Sequence, residues 1–148
     1  MSDPGTTFPG MAEVTQDERT YATLAHALQM AGWWIAPLVI FIIKRESKFV
    51  AFHALQVLFL QIFLLIFWFV GIGVWVAVIF GTVFKQGTPP PNAPPPGIFF
   101  LMPLLWLFFM GAWVLVLVLA IVYAIKAGRG EWAAYPVFGG LARRVLKI

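Results

Sequence analysis

The chain has 148 residues, of which 61% are apolar and only 11% are Asp, Glu, Lys or Arg, against about 25% charged in an ordinary soluble domain. The charges are clustered and leave uncharged runs at Thr20 to Ile43, Phe49 to Phe84 and Gln86 to Ile125, each longer than the roughly 20 apolar residues that a bilayer crossing requires. This excludes a water-soluble fold, and the absence of cysteine excludes disulfides, thiolate metal sites and cysteine nucleophiles. The net charge of +4 is read as membrane topology and not as nucleic-acid affinity, because the basic residues flank apolar runs.

Residues 1–16 carry two prolines, two glycines and no apolar periodicity, so they read as a mobile tail. No Lys or Arg occurs before Arg19, so the first apolar segment lacks the basic flank of a cleavable signal peptide and is expected to be retained. Thr15 and Glu18 have the spacing of a capping box, which starts a helix near Gln16. A first span is expected over about 20–43, bent between Trp33 and Pro37 where proline removes a backbone donor. Its outer half carries a polar stripe of Thr23, His26 and Gln29 at spacing three.

Lys44 to Lys48 is a polar turn. The next uncharged run would measure about 54 Å as one helix, against a hydrocarbon core of about 30 Å. The expectation is therefore that Phe49 to Val57 lies at the interface and that a second span covers about 57–82, with a hairpin at Gly71 to Gly73, giving four spans, as the alternative. Residues 87–97 hold six prolines in eleven positions, which makes 86–97 an extended loop. A third span follows over about 98–125. The tail, 129–148, then forms a short amphipathic helix, with Phe138, Leu141, Val145 and Ile148 opposite Arg143 and Lys147. In this arrangement eight of the ten basic residues share one side, which places the amino terminus outside and the carboxyl terminus in the cytoplasm.

Catalytic groups are scarce. All six acidic residues lie in tails or turns, and the only serines are Ser2 and Ser47, so no enzyme, cofactor or metal site is expected. His26 and His53 could ligate a metal only as a pair. Along straight helices they stand about 25 Å and 6 Å from the inner ends of their spans, and hence in opposite leaflets. Two clusters are expected instead. His53 and Gln56, on one helix face, should meet the segment holding Arg129 and Glu131 at the inner surface. Ala27 and Ala31 of the first span should pack on Gly73, Ala77 and Gly81 of the second in the outer leaflet, since small residues let helices approach closely.

Leu24-Ala25-His26, Lys48 to Gln56 (KFVAFHALQ), Ile125 to Trp132 (IKAGRGEW) and Tyr135-Pro136 resemble a large bacterial family of small membrane proteins related to Tic-twenty, a subunit of the chloroplast inner-envelope import translocon. The resemblance covers roughly residues 17–140 and implies a helical membrane protein linked to protein translocation. Taken together, the sequence describes an all-α integral protein of a bacterial inner membrane. It is expected to be non-enzymatic, a scaffold or subunit that packs in the lipid bilayer on another membrane protein or on itself. The alternative is a transporter or channel component formed by an oligomer and lined by the polar stripe and His53/Gln56.

Overall fold

A computed structural model describes residues 13–32, 34–86, 92 and 97–148, and among these no strand occurs. The tail expected at 1–16 lies outside the described residues as far as residue 12, and so does all of 87–96 except Asn92. Helix α1 (Gln16–Ala27) begins at the capping box read from the sequence. The Thr15 amide donates to Glu18 Oε2 at 2.8 Å and the Glu18 amide to Thr15 Oγ1 at 3.3 Å. Ser47 donates to the other carboxylate oxygen of Glu18 at 2.6 Å. Burial, which raises the Glu18 pKa, is outweighed by the hydrogen bonds from Ser47 and Thr15, so this carboxyl sits below its ordinary value.

The expected first span does not form. After α1 the chain makes a one-turn helix, α2 (Gln29–Gly32), and then α3 (Ile35–Ile43). At 1.5 Å per residue α1 and α3 are about 18 Å and 14 Å long, too short to cross a core of about 30 Å. They fold back on each other, so that Lys44 after α3 reaches Asp17 at the start of α1, 2.6 Å away. This hydrogen bond, with the Asp17 charge behind it, raises the Lys44 pKa. Pro37 does not kink a continuous helix. It occupies the first turn of a new one, where its missing donor has no intrahelical partner to lose.

Helix α4 (Lys48–Gln86) is unbroken, which rules out the hairpin at Gly71 to Gly73. Its character changes along its length, from buried at Phe49 to Val57 to largely exposed and apolar beyond Ile62. The interfacial segment expected at Phe49 to Val57 is thus packed in protein. A 3₁₀ helix (Gly97–Leu101) leads into α5 (Met102–Gly128), and α6 (Phe138–Leu146) ends the chain. Two helices, Lys48–Thr82 and Met102–Gly128, are long and apolar enough to cross a membrane, and 0% and 6% of their most apolar stretches are buried within the protein. Side chains this apolar and this exposed need lipid around them. Among the described residues the candidate spans therefore number two, and the three expected are not confirmed.

Two compact units divide the chain. One comprises residues 1–62 and 117–148. In it Phe52, Leu55 and Ala142 form a core with Trp132, Ala134 and Leu146, so α6 packs on the first turns of α4. The closest approach is at Gly139, where a Cβ would stand 2.4 Å from that of Ala134. The other unit, 63–116, is held by rings. Trp68 stacks on Phe109 with centroids 4.7 Å apart, and Phe67 meets Phe108 and Phe109 at 6.1 and 6.2 Å. Trp106 and Trp113 are exposed, at 65% and 55%.

The folded-back α1–α3 segment has a direct chemical test. A carbodiimide, which joins a carboxylate to an amine in contact, should link Asp17 to Lys44 in the purified protein, detected by peptide mass spectrometry. A continuous span would hold the two about 40 Å apart, and absence of the link with other surface pairs joined would favour it.

Candidate functional site

The polar side chains of the first unit converge on one buried network. His53 and Gln56 are one turn apart on α4 and share a face. They meet the irregular segment after α5, whose backbone groups have no helical partners and must be satisfied otherwise. His53 Nε2 donates to the Glu131 carbonyl at 3.1 Å, Gln56 Nε2 to the Ala133 carbonyl at 3.1 Å, and the Tyr135 amide to Gln56 Oε1 at 2.9 Å. Because a carbonyl can only accept, neutral His53 carries its proton on Nε2 and accepts at Nδ1. That atom receives His26 Nε2 at 2.9 Å and Gln56 Nε2 at 3.1 Å. His26 Nδ1 is then the acceptor for the Tyr135 hydroxyl, 2.9 Å away. The same hydroxyl accepts from Gln29 Nε2 at 3.4 Å, and Gln29 Oε1 accepts from Gln61 Nε2 at 3.3 Å.

Aromatic faces enclose this chain of bonds. Phe49 and Phe52 stand edge-on to His53 at 4.7 and 5.2 Å, and Tyr123 packs against Tyr135 at 4.3 Å while donating to the Ala134 carbonyl. His26, His53 and Gln56 are fully buried. Burial, reinforced by the neighbouring His53 imidazole, pushes the His26 pKa well below 6.5. Burial likewise pushes the Tyr135 phenol up, against the opposing effect of the Gln29 hydrogen bond. The imidazole and phenol that could do proton chemistry are thus held neutral, with their lone pairs and protons committed to one another.

The two histidines do not lie in opposite leaflets. The 25 Å and 6 Å depths assume one straight first helix, and the fold-back after Ala27 removes that premise. The polar stripe makes contacts within the chain: Thr23 donates to the Arg19 and Ala124 carbonyls, and His26 and Gln29 enter the network. Of the inner cluster, His53 and Gln56 reach the 131–135 backbone. The Arg129 and Glu131 side chains instead face each other at 3.9 Å, with Arg129 70% exposed. The expected small-residue packing pairs residues of the first unit, Ala27 and Ala31, with Gly73, Ala77 and Gly81 of the second. Ala27, Ala31, Ala77 and Gly81 are exposed, and a Cβ at Gly73 or Gly81 would meet nothing within 4 Å. Sequence reasoning used Tyr135 only for the resemblance and omitted Gln61, an isolated amide in an apolar run whose burial cost was the available signal. No group of three or more His, Cys, Asp or Glu able to hold a metal occurs among the described residues.

A helical unit closed over a buried polar network, in a chain with two long bare apolar helices, defines the class of small helical membrane proteins. Residues 17–142 match MamF/MmsF, the magnetosome magnetite crystal formation protein family, and the chain belongs to that family. This corrects the resemblance to Tic-twenty, and the link to protein translocation goes with it. No curated protein and no solved structure matches the chain.

The network makes two predictions. Removing one partner of a buried hydrogen bond strands the other, at about 1–3 kcal/mol, so His53→Ala, Gln56→Ala and Tyr135→Phe should each lower the melting temperature in detergent. Glu131→Ala should barely change it, since Glu131 contributes its carbonyl; a loss at Glu131 as large as at His53 would show that the carboxylate matters. The pH dependence has a definite sign. An unfolded histidine takes up a proton near pH 6.5 and folded His26 does so only well below that, so between the two the unfolded state binds more protons. Stability should be constant above about pH 7 and fall as pH drops through 6.5. His26→Gln should flatten part of that slope; a melting temperature unchanged from pH 7.5 to 5 would contradict the burial of a neutral imidazole.

Proposed function

We propose that the protein is a non-enzymatic organising element of the magnetosome membrane, crossing it twice and acting on crystal formation through contacts with another membrane protein or a second copy of itself. The observation that carries this reading is the family match over residues 17–142. The chemistry of the chain supports it: the histidines, the Tyr135 phenol and the buried amides are bonded to one another, and no activated nucleophile stands beside them. With two spans the termini share a side. Nine of the ten basic residues fall outside the 63–116 unit, where Lys85 is alone, and the positive-inside rule then assigns both termini to the cytoplasm and the proline-rich loop to the magnetosome interior.

Deleting the gene in the magnetosome-forming cell should alter crystal size or number in electron micrographs. The wild-type chain should restore them, and it should co-isolate with a fixed partner after crosslinking. Unaltered crystals would sink the reading. Since the chain has no cysteine, topology can be read with a membrane-impermeant thiol reagent on isolated intact magnetosomes. Gly140→Cys should label at once and Asn92→Cys only after the membrane is opened; the reverse order would overturn the assignment.

A further inference from the structure

Arg19 is a basic side chain with no bonding partner among the described residues. The acidic residues beside it on α1 are committed elsewhere, Asp17 to Lys44 and Glu18 to Ser47 and Thr15. Its guanidinium lies flat against Gly130, where a Cβ would meet Nε at 3.1 Å, Cζ at 3.3 Å and Nη2 at 3.5 Å. Gly130 has φ +80° and closes α5. Its amide bonds to the Ala127 carbonyl and that of Glu131 to the Lys126 carbonyl, the Schellman pattern that a left-handed glycine permits. The guanidinium is thus seated at the carboxyl end of a helix dipole, which favours a cation. Its Nε is nevertheless buried without a hydrogen bond, and an unpaired buried donor is an exception that calls for a ligand or another explanation.

Beside it opens a cleft of about 180 Å³ lined by Gln16, Arg19, Thr20, Thr23, Leu24 and Gly128. The lining carries one charge, and it is positive. The Thr20 and Thr23 hydroxyls already donate to the Gln16 and Arg19 carbonyls, so the free donors are the guanidinium and the Gln16 amide. Leu24 supplies an apolar wall, and Gly128 ends the candidate span Met102–Gly128, which puts the cleft at the edge of the hydrocarbon. We propose that this cleft binds the phosphate group of an anionic phospholipid, with Arg19 as the primary contact, since planar guanidinium matches phosphate oxygens two at a time. Free phosphate offers the same oxygens without the acyl chains. The proposal uses the membrane-spanning role of α5 and is independent of any role in crystal formation.

The test is thermal melting of the full-length protein in non-ionic detergent with added phosphatidylglycerol, phosphatidylcholine or inorganic phosphate. Phosphatidylglycerol should raise the melting temperature by about 3 °C over phosphatidylcholine, and Arg19→Gln should abolish the rise. Should Arg19→Gln fail to fold, Thr20→Glu places a negative charge in the cleft from an exposed position; it should abolish the rise, read against that variant's own lipid-free melting temperature. An equal rise with inorganic phosphate would overturn the lipid headgroup in favour of a free anion. No rise in the wild type, or one that persists in both variants, would overturn the site altogether.

Discussion

An apolar chain that must also contain irregular backbone has to find partners for every amide and carbonyl it buries, because an orphaned group costs more than a hydrogen bond gains. The segment 131–135 is such a stretch, and His53 and Gln56 are the answer to it. Between them they engage the Glu131 and Ala133 carbonyls and the Tyr135 amide. Tyr135, held by its backbone, then offers its hydroxyl to His26. One set of bonds thereby joins α1, α4 and the segment that leads into α6. The turn into α6 follows from it: the Phe138 amide bonds the Pro136 carbonyl across Val137, whose φ is +69°, a tight and rare reversal that delivers Gly139 onto Ala134.

This constraint inverts the usual burial where α1 gives way to α2. His26 at the end of α1 and Gln29 at the start of α2 are buried, while Leu24 and the cap residue Leu28 are exposed. The stripe of Thr23, His26 and Gln29 was legible in the sequence, and so were the capping box and the shared face of His53 and Gln56. What could not be read was the direction of the stripe. A polar face points to water, headgroups or a pore in one setting and to protein in another, and periodicity alone does not distinguish them. The fold-back was illegible for a related reason. An uncharged run of 24 residues satisfies the length criterion for a span whether it forms one long helix or two short ones, and Leu28, where α1 stops, carries none of the usual stop signals.

The glycines show the same ambiguity. Spacing four singled out Gly73 and Gly81, where a Cβ would find no described atom within 4 Å, and small residues at that spacing arise readily in Gly/Ala-rich spans. The glycines that the fold uses are recognised by what touches them: Phe109 at Gly71, Arg19 at Gly130 and Ala134 at Gly139. The resemblance that pointed toward Tic-twenty was also carried by architectural residues. His26, the FHALQ run and Tyr135 are the members of the buried network, so they report a way of satisfying polar groups in a small helical unit. Shared architecture of this kind does not define function, and it is the match over 17–142 that places the chain.

Charge placement bears on how such a protein could act on a mineral. Ferrous and ferric ions are held in solution-facing sites by carboxylates, imidazoles and similar donors. In this chain Asp3, Glu13, Asp17, Glu18 and Glu46 all precede the exposed part of α4, Glu131 follows α5, and the loop 86–97 holds neither acid nor histidine. In the proposed orientation every carboxylate faces the cytoplasm, and the magnetosome interior meets prolines, glycines, one threonine, two amides and Lys85. A loop of that composition offers neither carboxylate nor imidazole to a crystal face. Under the proposed role and orientation, an effect on crystal formation runs through the cytoplasmic unit and its partners and not through direct contact with the mineral.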